Sequence, residues 1–184
     1  MHVPERLALV PPQDVRLRRV AEPVACVTDE VRRLIDAMFA LMGCEQGVGL
    51  AAPQAGWLWR IIVIDVSACQ PGTRPLAIVN PRLVERHGRA TAVEGCLSLP
   101  GIEAPVRRAR TVRVQGTGPN GEPLDLSADG LLARALQHEI DHLDGILFID
   151  RVGWTHRLRL RRALTQTAAL PSTLRSAAMR PAAL

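Results

Sequence analysis

Gln137-His138-Glu139-Ile140-Asp141-His142 decides how this chain is read. Apolar spacing predicts a helix over 129–144, on which His138 and His142 lie one turn apart on one face. Two imidazoles so placed can share one transition-metal ion. Glu139, next to His138, can then reach a water there and take its proton. Metal-assisted hydrolysis is therefore the first chemistry that the sequence proposes. The competing reading is a buried helix with two hydrogen-bonded histidines and a helix-favouring glutamate. The His-Glu-x-x-His pattern argues against it, because that pattern on a helix carries a specific mechanism.

Outward from the motif, Leu131, Leu132, Ala135, Leu136, Ile140 and Leu143 supply the helix's apolar face. Ser127 is expected to open this helix and Gly145 to stop it. Residues 111–115 and 123–126 alternate on either side of Asn120-Gly121, a strong hairpin signal. Residues 60–66 contain Ile-Ile-Val-Ile and read as a buried strand, with 77–79 as a second. Thr28 is expected to cap a helix with Asp29 and Glu30 in its first turn. Val31, Leu34, Ile35, Met38, Leu41 and Met42 form its core face, and it should end near Gly43. A last helix is expected from Thr155 to before Pro171. No regular strand–helix–strand alternation appears. The expectation is α+β: mainly antiparallel strands packed around a central helix that carries the metal motif, plus a C-terminal helix. Gly47 and Gly49 are not a dinucleotide fingerprint, since the strand–turn–helix context is missing.

Length and composition bound the rest. At 184 residues, the expectation is one catalytic domain over 1–170 and a basic, flexible tail over 171–184. A hydrophobic fraction of 47% fits a soluble globular protein, and no apolar run approaches membrane-spanning length. Residues 1–13 hold Pro4, Pro11, Pro12 and charges where a signal peptide needs an unbroken apolar stretch, so the expected location is the cytoplasm. A cytoplasmic chain of this size does not need disulfides, and Cys26, Cys44 and Cys69 read as small buried or partly buried thiols. All 23 basic residues are arginine. Residues 1–150 carry 16 of them against all 18 acidic residues, a net −2, while 151–184 carry seven and no acid. That segment is a candidate contact for a polyanion such as RNA; the alternative is a solvated helix face with a frayed end.

Two histidines leave a hydrolytic site one protein ligand short. Cys96, Asp141, Asp144 and remote acids are the candidates. Asp141 directly precedes His142, so its side chain should point away from the shared face. Cys96 lies between Gly95, which frees the backbone, and Pro100, which blocks regular pairing; both suit a thiolate held in a fixed loop.

Three segments together resemble the peptide deformylase family. They stand in order as Gly47-Val48-Gly49-Leu50-Ala51-Ala52-Pro53-Gln54, Glu94-Gly95-Cys96-Leu97-Ser98 and Gln137-His138-Glu139-Ile140-Asp141-His142. The resemblance covers about 16–150, and three complete motifs in order are very specific. It implies that Cys96, His138 and His142 hold the metal and that Glu139 is the general base. It also implies that Gln54 and the Leu97 N–H donate to the oxyanion. Without the resemblance, Gln54 reads as a loop residue bonding its own backbone. The backbone around Val48, Gly49 and Gly95 is expected to pair with the substrate as an added strand, with Gly49 keeping that approach open. Val48, Leu131 and Ala135 are expected to line a methionine pocket; core packing is the other reading for them. Ile102-Glu103-Ala104 and Arg134 depart from many relatives, and Arg134 stands where some have an apolar pocket residue.

The resemblance implies removal of the formyl group from N-terminal formylmethionine of new polypeptides by a monomer. One divalent ion would serve, Fe(II) natively, with Zn(II), Ni(II) or Co(II) as substitutes. The ribosome is a candidate partner through the basic C-terminal region. Two alternatives compete. A zincin-type metallopeptidase would need a third ligand downstream, where His156 is the only histidine. An inactive relative that binds nascent chains or the ribosome would have lost a catalytic position, and none is lost.

Overall fold

The computed structural model describes residues 3–4 and 6–153. The last helix, His156 and the basic tail expected from the sequence lie outside the described residues; of the arginines in 151–184, only Arg151 is described. The elements are α1 (Asp29–Cys44), β1 (Gly49–Ala51), β2 (Ile61–Ile64), β3 (Leu76–His87), β4 (Ala90–Glu94), β5 (Ala104–Arg108), β6 (Thr111–Thr117), β7 (Pro123–Asp129) and α2 (Gly130–Leu143). A five-stranded sheet runs β1-β2-β3-β6-β7, and β4 and β5 form a separate ribbon. Every strand pair is antiparallel, so the α+β expectation is met.

β2 is apolar at every position because both faces of the sheet are covered. Ile62 and Ile64 join Leu132, Leu136 and Ile140 of α2 in one cluster. Ile61 and Val63 join Leu34 and Met38 of α1 in another. α1 forms as expected: Thr28 Oγ1 accepts from Val31 N–H, and all six core-face residues are buried. Its end falls near Gly43, as expected. The helix runs on to Cys44, and Gln46, at φ 55°, turns the chain toward β1 while Gly47 N–H reaches back to Met42 O.

Two elements differ from the sequence expectation. β3 is twelve residues long, because Asn80-Pro81 is absorbed as an irregularity instead of ending the strand. Asn80 takes φ 53°, and its side-chain amide pairs with both Val24 N–H and Val24 O. Opposite, a Cβ at Gly116 would lie 2.5 Å from Ile78 Cγ2, so the strands meet there only over a glycine. The β4–β5 ribbon was not legible at all, since two of its inward side chains are Glu94 and Arg108. Ser127 remains in β7 and does not open α2; Asp129 sits at the helix's N-cap. Gly145, at φ +70°, ends α2 while Ile146 N–H reaches back to Asp141 O. Among the described residues no helix is long and apolar enough to cross a membrane.

Candidate metal centre

α2 presents His138 and His142 one turn apart, with ring centroids 5.1 Å apart. The loop after β4 brings Cys96 to them, and His142 Nε2 is 3.2 Å from Cys96 Sγ. The donor atoms of Cys96, His138 and His142 all lie within 4.8 Å of one another. Of the ligand candidates left open by spacing, Asp141 turns away as expected, onto Arg108 and Arg151. Asp144 pairs with Arg60.

Glu139 lines the same cleft as Cys96, Gln54 and Gly49. Its Oε2 is buried with no hydrogen-bond partner among the described residues. Burial pushes this carboxyl up to about 7, against the charges of His138 and Arg108. A Cβ on Gly49 would lie 2.5 Å from Glu139 Oε1. A side chain at 49 would therefore push aside the carboxylate packed over it, a contact the sequence does not announce. Gln54 is anchored through Oε1, which accepts from Ala51 N–H at 2.7 Å. That leaves its Nε2 to donate to Ser98 Oγ at 3.1 Å and toward Cys96 Sγ at 3.6 Å. Leu97 lines the cleft, and its N–H has no acceptor among the described residues. Val48 and Gly95 also line the cleft. Leu131 and Ala135 do not; they belong to the core between α2 and the sheet, against which Val48 packs.

Sequence reasoning missed Glu94, which is fully buried behind the site. Its Oε2 faces His138 Nδ1 at 3.0 Å, which leaves the other ring nitrogen for the cleft. Arg108 grips Glu94 with Nε and Nη2, and Arg134 adds a third guanidinium contact. Burial works to raise the Glu94 carboxyl, but hydrogen bonds from His138 and Arg108 hold it at about 2. The signal was a Glu two residues before the thiol, but nothing local says whether it faces solvent. Arg134 does not reach the pocket that its sequence position suggested. Cys26, Cys44 and Cys69 are exposed, not buried, and carry no disulfide.

A divalent ion fits these residues. A thiol and two imidazoles converge, and a buried carboxylate oxygen beside them lacks a donor. Such a centre, with a buried carboxylate and a side-chain amide in the same cleft, is that of a metal-dependent hydrolase.

Residues 7–157 match the polypeptide deformylase family. A relative named peptide deformylase from Alkalilimnicola ehrlichii is 47% identical over 152 residues, 82% of this chain and 84% of its own. One of the same name from Tolumonas auensis is 41% identical over 84% of this chain and 92% of its own. The crystal structure of a peptide deformylase from Legionella pneumophila superposes with TM-score 0.80 at 39% identity, covering 90% of this chain and 99% of that one. The Synechococcus elongatus peptide deformylase in complex with actinonin gives 0.82 at 40% identity, covering 98% and 95%. The chain belongs to the polypeptide deformylase family.

Proposed function

We propose that Cys96, His138 and His142 together hold one divalent metal ion and that Glu139 moves the proton in the hydrolysis it assists. The chain removes the formyl group from the N-terminal formylmethionine of newly made polypeptides and releases formate. One observation carries the assignment of roles: the unpartnered, buried Glu139 Oε2 beside the cluster of Cys96, His138 and His142. When bound, the ion supplies Lewis-acid chemistry, acidifying a water and drawing charge from the formyl oxygen. Glu139 Oε2 accepts the proton of the attacking water and returns it to the departing amine. Gln54 Nε2 and Leu97 N–H donate to the tetrahedral oxyanion, and one well-placed donor is worth about 3 kcal/mol. The anchored Oε1 of Gln54 keeps that amide oriented before substrate arrives.

β1 is an edge strand of the five-stranded sheet, which supports an added-strand mode of peptide binding beside Val48, Gly49 and Gly95. Val48, which lines the cleft, offers the apolar surface for the methionine side chain, with Leu131 and Ala135 in the core behind it. The domain comprises 1–170 and acts as a monomer in the cytoplasm. The basic tail, 171–184, and the arginines before it contact ribosomal phosphate. Arg151 is not one of them, because it holds Asp141.

Formate release from a formyl-Met peptide by anaerobically purified protein tests the reading. Peptide-bond cleavage without formate would favour the metallopeptidase instead. The native ion is Fe(II), with Zn(II), Ni(II) or Co(II) as substitutes; a thiolate and two imidazoles suit each. Iron-loaded protein is expected to be active and to lose activity in air, as Fe(II) and Cys96 oxidise. Equal rates for iron- and zinc-loaded protein, both indifferent to oxygen, would remove the iron assignment. Gly49→Ala is expected to displace the Glu139 carboxylate. Turnover should fall at least tenfold while bound metal stays near one per chain and the unfolding temperature changes little, since only a flexible side-chain end must move. Wild-type turnover in that variant would show that the glycine is not needed.

A further inference from the structure

The three candidate ligands come from two elements that share no backbone hydrogen bond among the described residues. His138 and His142 lie on α2, while Cys96 lies in the loop that joins β4 to β5, a ribbon that is a sheet of its own. The hydrogen bonds between them run through side chains. Gln137 pairs with Ala109 N–H and O, His138 with Glu94, and Asp141 with Arg108. Arg134 makes the widest of these links. Its Nη1 donates to Glu94 Oε1 at 2.5 Å and to Val106 O at 3.0 Å, and its Nη2 donates to Ala90 O at 3.0 Å. One buried guanidinium thus touches both strands of the ribbon, from a position one turn before His138.

Charge balance alone does not call for Arg134. Glu94 is already gripped on both oxygens by Arg108. In the chain Arg134–Glu94–Arg108–Asp141–Arg151, buried except at the exposed Arg151, two carboxylates face three guanidiniums. What the third adds is geometry, since a planar fork can hold three acceptors at fixed spacing where a point charge cannot.

We infer that Arg134 is a positioning residue for the metal centre: its three-point clamp sets the separation between the helix bearing His138 and His142 and the ribbon leading into Cys96. The consequence for turnover rests on the deformylase reading; the consequence for metal binding does not. The test uses the full chain loaded with Co(II), in wild-type, Arg134→Met and Arg134→Lys forms. Methionine suits the buried site without a charge, and Glu94 keeps Arg108 and His138. Arg134→Met is expected to show unchanged far-ultraviolet circular dichroism and one cooperative unfolding transition. Its Co(II) should pass to a chelator about 10-fold faster, the low end of the loss when a group bonded to a ligand itself is removed, since Arg134 acts one contact further out, through Glu94. The thiolate-to-cobalt absorption band should shift. Arg134→Lys should behave in the same way, since it restores the charge but not the fork. Folded Arg134→Met with wild-type release and spectrum would overturn the inference, as would Arg134→Lys matching wild type. If Arg134→Met does not fold, Arg134→Lys decides by the same two readouts. Formate release by the wild type is measured alongside. Its absence would sink the deformylase reading and leave the cobalt result standing.

Discussion

Glu139→Ala retains close to one metal ion per chain while hydrolysis of a formyl-Met peptide falls by roughly 10²- to 10⁴-fold, the usual contribution of a positioned proton acceptor. The variant leaves Cys96, His138 and His142 untouched, so metal content separates loss of the base from loss of the site. The carboxylate is buried, and its Oε2 has no partner, so it contributes no hydrogen bond to the fold that its removal would break. Glu139→Gln keeps the volume over Gly49 and should fall as far, because an amide cannot accept the proton. Parallel losses in kcat and kcat/KM are expected. Near-normal turnover in either variant would sink the assigned mechanism, and loss of metal in both would recast Glu139 as a ligand.

Cys96→Ser carries the second large effect. It replaces a soft thiolate with a hydroxyl that is protonated at neutral pH, so metal occupancy and turnover should fall together. The drop in affinity should equal or exceed the roughly 100-fold upper figure for outer contacts. Gln54 Nε2 would also lose its sulfur neighbour. Cys26→Ser, Cys44→Ser and Cys69→Ser are the controls. All three thiols are exposed and unpaired, so neither metal content nor rate should move. Full metal and full rate in Cys96→Ser would mean that another residue completes the site.

Helical spacing made α1 legible down to its capping Thr28, because its inward positions are apolar without exception. The β6–β7 hairpin was legible for a similar reason: alternating residues flank a turn whose Gly121 takes φ +88°. The β4–β5 ribbon was not, since pattern reading assumes that charge faces water. Here Glu94 and Arg108 face inward and neutralise each other. β3 was cut short at Asn80-Pro81, where only contacts with Val24 and the close approach of Gly116 make the continuation workable.

By itself the sequence determined the local chemistry. His138 and His142 had to share a helix face and Glu139 had to sit beside them, since both follow from 3.6 residues per turn. Only the tertiary structure decided what lies opposite. It brought Cys96 to the helix from 42 positions before His138, aimed Gln54 at the sulfur, laid Glu139 over Gly49, and put Glu94 behind His138 under Arg108 and Arg134. Those contacts join residues far apart in the chain. Their cause is the burial of charged groups, which must find partners wherever the packing places them.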